Sequence, residues 1–160
     1  MSLLITGICD DLQHSIDVYD KIADEWEKSK TIWFSTLNEL RESRSTYQNH
    51  KDGITLFEDV EFRRSLFQYY LRSGDLINQL EYCQRRRYEL EGKFNDLVRD
   101  IRCRNTSVSH ADAVKTAQDY MQSENQEFLN LGDSIPVSVN KLRDFRNQAK
   151  NLLANFRKLQ

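Results

Sequence analysis

The sequence predicts an all-α fold, an elongated antiparallel three-helix coiled-coil bundle in a single domain. Three observations carry this reading. Chain-breakers are few, with one proline and five glycines in 160 residues. Apolar residues recur every seven positions through three long stretches, as helices that each bury one stripe require. Apolar content is 39% and charged content 30%, a balance that suits slender elements with most of their surface in water. No Gly-, Pro- or Ser-rich linker divides the chain, so one domain is expected.

The first helix is read over residues 3–48. Steps of seven from Ile5 give Leu12, Tyr19, Trp26, Trp33, Leu40 and Tyr47, with a companion seam Cys9, Ile16, Ala23, Lys30, Leu37 and Arg44. Trp26 and Trp33 are therefore read as core aromatics, Arg44 as fraying of the seam near the helix end. Such a helix would be about 70 Å long. Lys51-Asp52-Gly53 follows as a turn, its glycine expected to supply a positive φ.

The second helix is read over 54–103, with seams Phe62, Tyr69, Leu76, Cys83, Leu90, Leu97 and Leu66, Ser73, Leu80, Arg87, Phe94, Ile101. Asn105 to Ser109 is a polar break in which Ser109 can cap a third helix, 109–160, with Asp112 in its first turn. That helix contains Pro136, yet Val114, Met121, Phe128, Ile135, Leu142, Ala149 and Phe156 keep their register across it, as do the companion positions Leu131, Phe145 and Leu159. One kinked helix is the favoured reading, with a loop over Asp133–Pro136 as the alternative.

Three helices running up, down and up are matched by height across their turns. Lys30 then falls level with Ser73, Ser73 with Ser138, and Arg87 with Glu124, the last expected as a buried ion pair that fixes register. Gly74 and Pro136 share one height and predict a bend there.

Catalytic chemistry is not expected. His14, His50 and His110 do not converge under the height rule, and phosphate-binding glycine loops, HExxH, GxSxG and EF-hand patterns are all missing from the sequence. No cofactor is implied. Cys9, Cys83 and Cys103 are odd in number and lack metal-ligand spacing, which predicts reduced thiols in a cytoplasmic protein. No stretch approaches the length of a membrane span and no targeting signal is visible, so a soluble protein is expected. The amphipathic pattern still running at Phe156 to Gln160 predicts a piece of a longer chain.

Formal net charge is -2, but residues 1–80 carry 14 acidic and 9 basic side chains and residues 81–160 carry 11 and 14. Arg85, Arg86, Lys93, Arg99, Arg102 and Arg104, with Lys141, Arg143, Arg146 and Lys150, are the candidates for contact with an anionic membrane surface. The run ends with Arg157 and Lys158. Interleaved acids and the lack of evident stacking aromatics argue against nucleic acid. The start of the second helix is apolar on more than one stripe. Phe34, Phe57, Val60, Phe67, Tyr70, Leu71 and Leu153 are thus candidates for a second buried face, most simply a homodimer or a related helical partner.

Leu66-Phe67-Gln68-Tyr69-Tyr70-Leu71 with Ser73-Gly74-Asp75, then Arg85-Arg86-Arg87-Tyr88-Glu89-Leu90-Glu91, resembles the second helix of BAR domains of the sorting-nexin type. Asn125 to Phe128 and Leu142 to Phe145 fall where that family's third helix is aromatic-rich. The resemblance implies a dimeric crescent that senses or stabilises curved endosomal membrane, without catalysis. The competing expectation is a spectrin-like or tethering-complex scaffold that binds proteins and never touches lipid.

Overall fold

The computed structural model describes residues 2–124 and 126–159. They form α1 (Ser2–Ser29), α2 (Phe34–Glu42), α3 (Ser45–Asn49), a 3-10 helix (Lys51–Leu56), α4 (Val60–Arg104), α5 (His110–Glu124) and α6 (Gln126–Leu159), with no strand among them. The fold class is all-α, as the composition predicts. The side chains of Phe128, Leu131, Arg157, Lys158 and Leu159, and Asn125 altogether, lie outside the described residues.

The expected single helix over 3–48 is not formed. Lys30 adopts φ 54°, in the left-handed region, and its N–H donates to Trp26 O at 2.9 Å to close α1. A left-handed residue ends a helix because its carbonyl no longer continues the ladder. The chain then reverses. Lys21 pairs with Glu39 at 2.7 Å, the Ser15 and Ser43 hydroxyls meet at 2.9 Å, and Asp11 accepts from the Thr46 N–H at 2.8 Å. Numbers rise on one arm as they fall on the other, so α1 and the α2–α3 arm make an antiparallel helical hairpin. The heptad seam runs through the reversal unshifted because each arm buries its own stripe. Periodicity records which face is buried and is silent on whether the helix continues.

Two expectations fall with it. Trp33 lies at the reversal, 54% exposed, rather than in the core. Lys30 is an exposed turn residue, so its matching with Ser73 is void. Glu25 of α1 accepts from the Thr36 hydroxyl at 2.6 Å and from the Trp33 N–H at 3.3 Å. It thereby serves the N-terminus of α2, whose own cap residue offers no side-chain bond.

Gly53 also departs from expectation, because no described glycine has a positive φ. A Cβ there would lie 2.7 Å from Leu4 Cδ2, so the residue is small to let α1 approach. Asp59 caps α4, accepting from the Phe62 N–H at 2.9 Å. The helix thus starts at Val60, later than the expected 54.

The chain forms two compact units, residues 1–81 with 138–160, and residues 82–137. In the first, Ile8, Leu12 and Tyr19 of α1, Leu37 and Leu40 of α2, Leu66 and Tyr69 of α4, and Leu142, Phe145 and Phe156 of α6 are buried together. Phe62 meets Phe156 edge to face at 4.6 Å and Tyr69 lies 6.3 Å from Phe145, so these parts of α4 and α6 run antiparallel. In the second unit Val98 packs on Ala113 and Ala117, with Phe94, Leu97, Ile101, Val108 and Val114 around them; two alanines let α4 and α5 come close. Ser109 caps α5 through the Asp112 N–H at 3.1 Å, as its sequence indicates. α6 runs through Pro136 without interruption, so the alternative loop over Asp133–Pro136 is not formed.

Glycine tolerates the left-handed conformation that a lysine side chain resists. Lys30→Gly should therefore stabilise the chain by about 0.5–1 kcal/mol, read as a higher urea midpoint at unchanged slope.

Candidate functional site

The seven apolar residues expected to form a partner face separate into three buried, one half-buried and three exposed. Phe57 is buried against Phe62 and Phe156, with ring centroids 5.8 Å and 5.6 Å away. Tyr70 is fully buried and stacks on Tyr47 at 4.1 Å, and Leu153 is buried as well. These three are corrected to core residues, Tyr70 covered by the hairpin's Tyr47, Phe57 by Phe62 and Phe156, and Leu153 buried on α6. Phe34 is half-buried at the start of α2. Val60, Phe67 and Leu71 remain outside, 53%, 53% and 55% exposed. Their spacing of seven and four places them on one face of α4.

That strip borders an open groove of about 470 Å³ between the 3-10 helix and the first turns of α4. Tyr47, Ile54, Val60 and Phe67 give it apolar walls, and Lys51, Arg63, Arg64 and Asp52 supply its charges. Arg63 Nη1 donates to Thr55 O at 2.7 Å, Lys51 Nζ lies 5.9 Å from the Tyr47 ring centre, and Arg64 pairs with Glu61 at 3.0 Å.

The basic candidates belong to different units, Arg85 to Arg104 in one and Lys141 to Lys150 in the other. Several face acids on the protein's own surface. Arg86 pairs with Glu89 at 2.6 Å, Arg99 with Asp96 at 2.9 Å, Arg143 with Glu27 at 3.2 Å and Arg146 with Asp20 at 2.7 Å. Such exposed pairs contribute about 0–1 kcal/mol each. Arg85 is exposed. Lys93, Arg102, Arg104, Lys141 and Lys150 are exposed and form no ion pair among the described residues. The expected buried pair of Arg87 with Glu124 is corrected: Glu124 is exposed and Arg87 bonds Glu91 at 2.9 Å, one turn along its own helix.

A buried polar cluster in the first unit is what the sequence reading missed. The Asp11 carboxylate, 7% exposed, accepts from the N–H groups of Thr46 and Tyr47 at 2.8 Å and 3.3 Å and from the Thr46 hydroxyl at 3.1 Å. It caps α3 from another helix, because Arg44 at the cap position makes no such bond. Arg44 instead donates to Tyr70 O. Its guanidinium lies where a Cβ on residue 74 would be, 2.7 Å from Nη2. Gly74 is thus the room that Arg44 needs, and Arg44 is a half-buried tie between the hairpin and α4 rather than a frayed end.

The Tyr19 and Tyr69 hydroxyls meet at 3.1 Å. Burial pushes the phenols of Tyr19, Tyr69 and Tyr70 upward, with Arg44 opposing, so all three stay protonated. Burial likewise raises the Asp11 carboxyl, against the hydrogen bonds from Thr46 and Tyr47. The signal for this cluster in the sequence is the interruption of the first seam by Arg44 together with Gly74 and the Tyr69-Tyr70 pair. His14, His50 and His110 are exposed on α1, at the end of α3 and on α5. No group of three potential metal ligands exists among the described residues, and Cys9, Cys83 and Cys103 form no disulfide there. No helix among the described residues is long and apolar enough to cross a membrane.

Comparison of the chain with protein-family models, with curated proteins and with solved structures returns no match.

Removing the Asp11 carboxylate strands two buried N–H groups. Asp11→Ala should cost about 2 kcal/mol in urea unfolding, and Asp11→Asn, which keeps one acceptor, about half of that. The raised Asp11 pKa sets the pH trend. Its titration contributes stability that is complete below the unfolded value of 3.8 and is lost as pH rises through the folded value. The deficit of non-titrating Asp11→Asn should therefore be larger in acid than at neutral pH, as parallel unfolding curves would show.

Proposed function

We propose that the chain is a non-catalytic helical interaction module that docks other helical proteins through one face of α4. The exposed strip of Val60, Phe67 and Leu71 carries this reading. Three large apolar side chains at helical spacing beside an open groove lose favourable burial energy by facing water, roughly 1.5–3 kcal/mol each if fully covered. Scattered apolar residues need no such account; aligned ones form the seam that a partner helix uses. The groups that would be needed for acid–base or nucleophilic work are not gathered anywhere on this face.

A second reading is favoured by a separate observation, the three exposed cations Lys93, Arg102 and Arg104 at the distal end of α4, which face no acid within ion-pair distance among the described residues. On this reading, which the likeness to sorting-nexin BAR domains supports, the chain binds anionic, curved endosomal membrane as a dimer with the α4 cations against the headgroups. Each well-placed cation contributes on the order of 1 kcal/mol at such a surface.

The two readings are separated by two measurements. A photoreactive phenylalanine analogue replacing Leu71 should give discrete covalent adducts in cell extract, with a second copy or with another protein. The same probe at Gln79, off the strip, should give at least fivefold less; equal labelling at both positions defeats the docking reading. For the membrane, co-sedimentation with phosphatidylserine vesicles of two diameters should favour the smaller and fall steeply with salt. Lys93→Glu/Arg102→Glu/Arg104→Glu should abolish it. Wild type left in the supernatant with both sizes removes the membrane reading.

A further inference from the structure

The groove beside the strip has a charge character that narrows the partner. Its floor is fixed, since Tyr47 is stacked on Tyr70 and Ile54 is buried. Its edge holds three cations, Lys51, Arg63 and Arg64, against Asp52 in the lining and Glu61, which pairs with Arg64 at 3.0 Å. Arg63 is held in place through a single N–H on Thr55 O, which leaves its other donors for an incoming group. None of the buried polar atoms that lack a hydrogen bond lies in its lining, so nothing there would orient a small polar ligand. A space of about 470 Å³ is of the size that receives a few anchoring side chains rather than a folded domain.

We propose that this groove, with the adjoining Phe67–Leu71 strip, binds an amphipathic helix of another protein whose apolar stripe is edged with Asp and Glu. The proposal rests on the docking function proposed above and names its partner class. A helix fits better than a strand because the receiving surface is a helical face with side chains seven and four apart, and no sheet edge is offered among the described residues. A carboxylate edge is favoured because burying the stripe brings it beside the Arg63 guanidinium, whose remaining donors suit a planar carboxylate in two-pronged geometry, and beside Lys51. A second copy of this chain is the poorer occupant. Two-fold pairing through the strip would set the same arginines of both copies near one another, a like-charge arrangement that specific interfaces avoid.

The test is fluorescence anisotropy of the full chain with a labelled synthetic helix of about 20 residues, long enough to hold helical structure. It is built of leucine, alanine and glutamate with leucines on one stripe, and is compared with the same peptide carrying lysine in place of glutamate. The glutamate peptide should bind at least tenfold more tightly than the lysine peptide. Phe67→Glu should weaken it at least tenfold, with circular dichroism unchanged because the side chain is exposed. Arg63→Glu/Arg64→Glu should invert the preference, so that the lysine peptide becomes the tighter ligand. Equal affinity for the two peptides, or binding indifferent to Phe67→Glu, overturns the proposal. If neither peptide binds while the adducts at position 71 persist, this groove assignment fails and the docking function stands; if the adducts fail too, both fall.

Discussion

The reversal at Lys30 sets the neighbours of almost every residue in the first unit. With α1 followed by a left-handed residue rather than another helical turn, residues 43–47 come to lie beside residues 11–15. Only then can Asp11 reach the N-terminus of α3, a helix of five residues too short to persist by its own hydrogen bonds. Only with α3 so placed does Tyr47 stack on Tyr70 and Arg44 reach the backbone of α4. The wall of the groove is thus a remote consequence of one backbone torsion.

The core formed in this way is unusually polar for a helical bundle. Asp11, Ser15, Ser43 and Ser73 are buried with their hydroxyls or carboxylate bonded. The Tyr70 hydroxyl and Arg44 Nε, in contrast, lack a hydrogen bond. An unsatisfied buried group costs roughly 1–3 kcal/mol, which a uniformly apolar core would avoid. What the polar groups contribute is selectivity among packings. Leucine stripes can slide by a heptad, whereas a carboxylate that must meet two particular N–H groups, or a guanidinium that must find a glycine, fits one register.

The surface follows a related division. Where cations lie three or four residues from acids on the same helix, as Arg86 does from Glu89 and Arg99 from Asp96, attraction is satisfied locally and little field extends outward. Lys93, Arg102 and Arg104 form no ion pair among the described residues, and at the groove Arg63 bonds a backbone carbonyl rather than an acid. These places, with exposed Lys141 and Lys150 of the first unit, carry charge left for something other than the protein's own acids. At the groove, exposed aliphatic and aromatic side chains at helical spacing adjoin positive charge, which is why docking leads the functional reading.

The sequence by itself determined that the chain is helical, because seven-residue periodicity with so few chain-breakers leaves helix as the only element that hides the apolar stripes. It also determined local ends that depend on neighbouring residues alone, such as Ser109 with Asp112. Tertiary structure alone decided that the first helix folds back, since a stripe from Trp26 to Leu40 reads the same whether the helix continues or turns. It also decided which of seven apolar candidates are covered: Phe57, Tyr70 and Leu153 differ from Val60, Phe67 and Leu71 in what lies opposite them, and opposition across elements is not written in the spacing of either one. Arg44 looked like a frayed end for the same reason. Its partner, a backbone carbonyl beside a glycine on another helix, leaves almost no mark on the sequence around it.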